Sequence, residues 1–387
     1  MEAPFIYRTE RYNKQASVQG AKYALHLSMD DGLPIAKAIG IPLMIDRRSF
    51  TLRSLLTGAA LAFSTALPAF ADDTPVKFTL DWKFEGPSAG FFLALDKGYF
   101  KEEGLDVTID SGAGSRESIP RVATGTYDMG FGDINALAKF LDEDMDAKVK
   151  AVMVVYDQPP FAVIGRKSQG ITTDPKSLEG KKLGAPPPDA AFGQWAAFKD
   201  AAAIDDSAIT IESVGFPVRE PMLAQGQVDA IFGFAFSSVL NLKANGVPED
   251  DIVPIMMSEN GLDLYGNAIM VNTDFAEANP DAVKGFLKAL AKGFKDAVAN
   301  PEEGVAAVIK RNQILDPAIE KERLEMANTM NINTAYVQEN GIGGVEPERM
   351  AKSLEQLGTS MGLKGNVTPE RLFDAQYLPS KEERMLK

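Results

Sequence analysis

Trp82 and Glu85 stand three residues apart in the stretch DWKFEGPSAG, where an apolar run ends and a turn begins. A tryptophan in a turn offers a flat face for stacking, and a carboxylate beside it can accept from amino or ring N–H groups. Tyr156 is placed in the same way, beside Asp157 and Gln158. Phe84, Phe192, Phe216, Phe234 and Tyr265 also fall at ends of apolar runs, whereas Phe91 and Phe92 read as core. These side chains bind; they do not react. The chain has no cysteine, and its single histidine, His26, precedes the segment that carries every other feature of interest. Cys-His pairs, His-based triads and zinc sites built on these residues are therefore not expected, nor is a bound cofactor.

The elements that must position these groups alternate. Strand-like runs are VKFTLDW, LDVTID, YDMGFGD, VKAVMVVYD, FAVIGR, KKLGAP, ITIESVGF, VDAIFGFAF, IVPIMM and NAIMVN, many apolar throughout, as in sheets covered on both faces. Helical patterns separate them, so the fold class is α/β. Asn279-Pro280 opens the clearest helix, with Asn as cap and Val283, Phe286, Leu287, Leu290, Phe294 and Val298 as its apolar stripe. The stretch GITTDPKSLEGKKLGAP reads as a restart, which places lobe 1 at 74–165 and 266–387 and lobe 2 at 166–265.

The amino-terminal part reads differently. From Met44, basic residues, an apolar run from Leu55 to Leu67 and Ala69-Phe70-Ala71 follow in the order of a secretory signal, which puts the signal peptide at 44–71. Arg47-Arg48 leaves both the general and the twin-arginine export routes open. Residues 1–43 show no sustained period and read as a start assigned too early. A chain beginning at Asp72 keeps 32 basic against 49 acidic residues, a net charge of −17, which excludes a phosphate-neutralising nucleic-acid binder.

The segments DW at Asp81-Trp82, FFLALDKGYFKEEGLDV from Phe91, ATGTYDMGFGD from Ala123, SLEGKKLG from Ser177 and LAQGQVDAIFG from Leu223 together resemble periplasmic solute-binding proteins of ABC importers. The resemblance is to the group with thiamine-pyrimidine, nitrate, taurine and alkanesulfonate binders, and closest to the thiamine-precursor branch. It implies a two-lobed type II periplasmic binding protein fold, each lobe a mixed or parallel sheet flanked by helices, with a cleft at the hinge. It also implies a monomeric periplasmic receptor for a small solute, partnered by an inner-membrane permease and its ATPase. The branch includes fungal enzymes that consume an active-site histidine to make the thiamine pyrimidine. Ser88 occupies that position here, and LDLYGNAIM lacks the enzymes' cysteines.

In such a fold, strand ends and helix starts line the cleft. That points to GAGSRES, GDINAL and PPPDAAFGQW, with Ser115, Asp133, Asn135 and Asp189, and to Asn267 near the return. Each could equally be a helix cap. The expected ligand contacts are thus Trp82, Phe84, Glu85, Ser88, Ser115, Asp133, Asn135, Tyr156, Asp189, Phe216, Phe234, Tyr265 and Asn267. Glu85, Asp133 and Asp189 favour a neutral or weakly basic heteroaromatic such as a pyrimidine; Arg116 and Arg219 favour an anion, unless solvated.

Overall fold

A computed structural model describes residues 73–387. The expected signal peptide and the segment before it lie outside the described residues. All ten expected strands form, in two five-stranded mixed sheets.

The first sheet has the order β2-β1-β3-β10-β4, from β1 (Thr74–Thr79), β2 (Leu105–Asp110), β3 (Met129–Asp133), β4 (Val149–Val154) and β10 (Asn267–Asn272). The second has the order β7-β6-β8-β5-β9, from β5 (Phe161–Arg166), β6 (Lys182–Ala185), β7 (Thr210–Ser213), β8 (Ala230–Phe234) and β9 (Ile252–Met256). Both sheets follow one plan. Three strands run parallel, and a reversed strand then pairs antiparallel with the third: β10 beside β3, β5 beside β8. In each sheet that reversed strand is the first one laid down after the chain changes sheets.

This corrects the expected division of the chain. FAVIGR, placed in lobe 1 by the boundary at residue 165, is β5 and pairs with β8 and β9 of the second sheet. The crossing therefore lies between Val154 and Phe161, and the return between Met256 and Asn267. A buried apolar strand satisfies its backbone equally well in either sheet, so its composition does not reveal its partner.

The site depends on the helices α1 (Ala89–Asp96), α2 (Ser115–Ala123), α3 (Ile134–Glu143), α4 (Ala190–Gly193), α5 (Phe216–Ala224), α6 (Ala235–Ala244), α7 (Pro280–Ala299), α8 (Pro317–Ala327) and α9 (Pro347–Met361). α7 carries the expected stripe inward, with Val283, Phe286, Leu287, Leu290 and Phe294 buried. Its cap differs from expectation: the Asn279 side chain makes no cap hydrogen bond and instead donates from Nδ2 to the Phe275 carbonyl at 3.3 Å. α7 packs on α1 so closely that a Cβ on Gly293 would lie 2.1 Å from the Gly90 carbonyl oxygen. That contact fixes α1, and with it the turn that carries Trp82.

Candidate functional site

β1 ends at Thr79, and Asp81, Trp82 and Glu85 follow in the turn before α1. The turn is held by Ser88, whose hydroxyl donates to the Glu85 carbonyl and accepts from the Glu85 N–H. α2 begins opposite: Ser115 Oγ accepts from the Asp133 N–H at 3.0 Å and lies 3.3 Å from Asp81 Oδ2. Asn267, opposite Asp133 in the β3–β10 register, donates from Nδ2 to Asp81 Oδ2 at 2.7 Å, while its own Oδ1 is buried without a donor. The carboxyl end of β1, the start of α2 and the amino end of β10 thus converge at Asp81.

The second sheet supplies the facing wall. Asp189 caps α4 by accepting from the Phe192 N–H, and its Oδ2 accepts from Arg219 Nη1 at 3.0 Å. Arg219 also donates from Nε and Nη2 to Glu220 Oε1, at 3.0 and 2.6 Å. At 3 % exposure it is not the solvated arginine expected at a helix start. Burial disfavours its charge, but Glu220 and Asp189 outweigh that and hold its pKa above the ordinary value.

Between these walls lies a cavity of about 650 Å³, open mouth included. Of the expected contacts it brings together Trp82, Glu85, Ser88, Ser115, Tyr156, Asp189, Phe216 and Phe234. Leu80, Asp81, Lys83, Phe91, Phe131, Arg219, Phe236 and Ser237 also line it. The walls meet at its edges. The Trp82 and Phe216 rings approach edge-on with centroids 4.4 Å apart, and Ser237 Oγ donates to Glu85 Oε2 at 3.0 Å. Tyr156 stands edge-on to Phe131 and Phe236.

The other expected contacts are elsewhere. Phe84 turns away and packs edge-on against Phe92. Asp133 serves the fold: it caps α3 by accepting from the Asn135 and Ala136 N–H groups and accepts from Gln194 Nε2 at 3.0 Å. Asn135 donates its amide to Asp133 and to the Tyr265 carbonyl, both at 2.7 Å. Tyr265 is fully buried; its hydroxyl accepts from the Glu346 N–H, and the Arg349 guanidinium sits 4.0 Å from its ring centre. Asn267 stands behind Asp81, in contact with it and not with the cavity.

Sequence reasoning left Asp81 and Ser237 out of the expected contacts and weighed Arg219 only as a cation for an anion or as a solvated residue. Asp81 carried a signal, since it precedes Trp82 in the turn. Ser237 carried none, because its place depends on α6 meeting Glu85 across the two sheets. Behind Glu85 a buried ion-pair chain continues: Arg323 of α8 lies 3.7 Å from Glu85 and 3.1 Å from Glu320, which accepts from the Gly86 N–H at 2.6 Å.

The carboxyls are perturbed by their surroundings. Burial pushes Asp81 up to about 7 against hydrogen bonds from Asn267 and Ser115, and nearby Asp189 adds to the rise. Burial likewise raises Asp133 to about 7, and raises Asp189 despite Arg219. Arg116, the other arginine that favoured an anion, is exposed and lines a second cavity of about 810 Å³ with Lys139 and Gln194.

Two mixed sheets meeting at a cavity formed by strand ends and helix starts define the two-lobed periplasmic binding protein fold. Among solved structures with this fold is the periplasmic aliphatic sulphonate binding protein SsuA from Escherichia coli, 12% identical, covering 79% of this chain and 99% of that one with a TM-score of 0.60. The NMT1/THI5-like family model matches residues 86–304, and the chain belongs to that family. Its relatives include the riboflavin-binding protein RibY of Chloroflexus aurantiacus, 23% identical over 75% of this chain and 82% of that protein. A formylaminopyrimidine-binding protein of Halalkalibacterium halodurans is 23% identical over 85% and 99%. A 4-amino-5-hydroxymethyl-2-methylpyrimidine phosphate synthase of Aspergillus parasiticus is 25% identical over 65% and 74%.

Proposed function

We propose that this chain is a non-enzymatic receptor that closes two lobes on a small nitrogen heteroaromatic and delivers it to an ABC permease. One observation carries the reading: the cavity between the sheets is lined by aromatic rings and carboxyls, and its one buried arginine, Arg219, is already held by Asp189 and Glu220. A desolvated sulfonate or nitrate would need a buried unpaired cation or a cluster of unshared N–H donors, and the other cation of the lining, Lys83, is exposed. A heteroaromatic needs flat faces and acceptors for its N–H groups, which Trp82, Tyr156, Glu85 and Asp81 supply. Riboflavin and formylaminopyrimidine, the ligands of the named binding relatives, both belong to that class.

Reading the chain as a receptor and not as a synthase rests on the residues at hand. Ser88 is engaged by the Glu85 backbone, and the described residues contain neither histidine nor cysteine. Lobe 1 would comprise β1–β4 and β10, and lobe 2 β5–β9. Release from the inner membrane by cleavage before Asp72, and action as a monomer in the periplasm, complete the proposal. N-terminal sequencing of exported protein tests the cleavage, and Met1 or Met44 at the mature terminus would refute it.

The function is tested by thermal shift with riboflavin, 4-amino-5-hydroxymethyl-2-methylpyrimidine, formylaminopyrimidine, an alkanesulfonate and nitrate. A ligand at 100 times its Kd stabilises by about 2.7 kcal/mol. A heterocycle that raises Tm and is recovered chemically unchanged supports the reading. A shift only with sulfonate or nitrate, or turnover of the heterocycle, overturns it.

A further inference from the structure

Asp81 is a buried carboxyl on the cavity wall with only one of its oxygens engaged by neighbouring side chains. Both side-chain donors, Ser115 Oγ and Asn267 Nδ2, reach Oδ2. No side chain of the described residues donates to Oδ1, the carboxyl's further hydrogen bond comes from the Asp81 backbone N–H, and Asp81 takes part in no ion pair among them.

The charged and titratable groups around it deepen this deficit. Burial is the main cause of the raised pKa of Asp81, of Asp133 at the end of β3 and of the Tyr156 hydroxyl; Asp189 adds to the first, Asp81 to the second, and Asp81 and Glu85 to the third. The arginines lining or backing the cavity are paired, and Lys83 is exposed and turned over a ring. Arg219 is bound to Asp189 and Glu220, Arg323 is bound to Glu320 beside Glu85, and Lys83 lies over the Trp82 ring, 5.3 Å from its centre. Removing water from this carboxylate without a cation is costly. A ligand that can share a proton with it removes that cost.

Taking the cavity as the seat of a heteroaromatic solute, we propose that Asp81 determines specificity by holding a single proton between its Oδ1 and a basic ring nitrogen of the ligand. The favoured class is the amino-substituted nitrogen heterocycles, whose amino group makes the ring nitrogen basic. A heterocycle that presents a lactam N–H to Asp81 brings its own proton and prefers the ionised carboxylate.

The two classes give opposite pH responses. Asp81 carries its proton up to about pH 7 in the unliganded site. A ligand with a basic nitrogen therefore binds without proton exchange below that pH, until its own nitrogen protonates. Above it the complex must take up one proton, and Kd weakens toward tenfold per pH unit. For a lactam edge the carboxyl must lose its proton on binding, so affinity rises with pH up to about 7.

The test is calorimetry of the intact exported chain with 4-amino-5-hydroxymethyl-2-methylpyrimidine between pH 6 and 9. Two buffers of different ionisation enthalpy at pH 8.5 count the protons exchanged. Wild type should take up close to one proton at pH 8.5 and lose affinity above pH 7. In Asp81→Asn, whose amide can still donate to the ring nitrogen, binding should persist with a flat profile. Proton release, a flat wild-type profile, or an unchanged slope in Asp81→Asn overturns the proposal, and the wild-type proton count decides the matter even if the variant is poorly folded. Riboflavin binding without pyrimidine binding refutes this inference and leaves the receptor reading intact. If no heterocycle shifts Tm, the receptor reading itself fails.

Discussion

Trp82 leaves the first turn half-buried, its ring edge-on to Phe216 and covered on one side by Lys83. Because the ring bridges the two walls and does not fill a core, Trp82→Ala should weaken heterocycle binding several-fold. It should cost about 1–2 kcal/mol of stability, below the ~3–5 kcal/mol of a fully buried aromatic. Calorimetry and a urea titration on the same variant separate the two effects, and unchanged affinity removes Trp82 from the site. Arg219 gives the opposite pattern. Arg219→Met leaves Asp189 and Glu220 buried without a cation, and loss of one partner of such a pair costs roughly 3–5 kcal/mol. The urea midpoint should fall accordingly; a drop under 1 kcal/mol would mean that the carboxyls neutralise themselves by taking up protons. The contrast explains what could be read from residue types. Trp82 and Tyr156 stood out as aromatics beside polar residues in turns; Trp82 is half-buried, whereas Tyr156 also packs into the core against Phe131 and Phe236. Asp133 and Asn135 looked identical to ligand groups because a cap and a ligand contact use the same side chains at the same helix start. Arg219 was discounted for its position on a helix, which says nothing of two carboxylates arriving from around it.

At the scale of elements, all ten strands were legible as strand-like runs, many of them apolar, and the α7 stripe as a 3.6-residue period. What local pattern could not supply was pairing. β5 and β10 both have apolar middles and are both reversed in their sheets, and the partners β8 and β3 tell which sheet each joins. The tight seat of α1 on α7 was equally invisible, since Gly90 and Gly293 lie about two hundred residues apart in the chain. That seat is testable. In Gly293→Ala the new methyl would meet the Gly90 carbonyl oxygen and the Ala94 side chain, at 2.1 and 2.8 Å, and backbone cannot yield as a flexible side chain would. We expect a loss of about 1–3 kcal/mol from overpacking. Because α1 carries the Trp82 turn, ligand affinity should fall as well. Gly98→Ala, at a position with open space and a φ of 77°, is the control: its cost comes from backbone conformation alone and should leave affinity unchanged.

For the molecule as a whole, the question is how two sheets joined by two short crossings come together around a ligand. Arg349 of α9 binds both crossings at once. It donates to Asp157 Oδ1 at 2.9 Å and to the Asp157 carbonyl at 2.8 Å on one strand, and to the Leu264 carbonyl at 2.7 Å on the other. A Cβ on Gly266 would lie 2.8 Å from that of Tyr156, so the crossings touch. This clamp is the natural pivot. Away from it the walls meet through Gln194 to Asp133 and Ser237 to Glu85, each at 3.0 Å, through Arg323 to the Phe236 and Ser237 carbonyls at 3.3 and 3.1 Å and to Asn241 Oδ1 at 3.1 Å, through Lys243 to Glu322 at 2.7 Å, and with Trp82 against Phe216. Exposed to water when the walls part, such hydrogen bonds contribute roughly 0.5–1.5 kcal/mol each, more where a charge takes part. Removing two of them should shift the balance toward the open form without unfolding either lobe, and a ligand that binds the closed form must then supply the difference. Small-angle scattering on the exported chain should therefore show compaction when a binding heterocycle is added. Gln194→Ala/Ser237→Ala should be more expanded without ligand, bind about tenfold more weakly, and reach the wild-type radius of gyration at saturation. If the radius is the same with and without ligand in both proteins, closure about the Arg349 clamp is not the working motion.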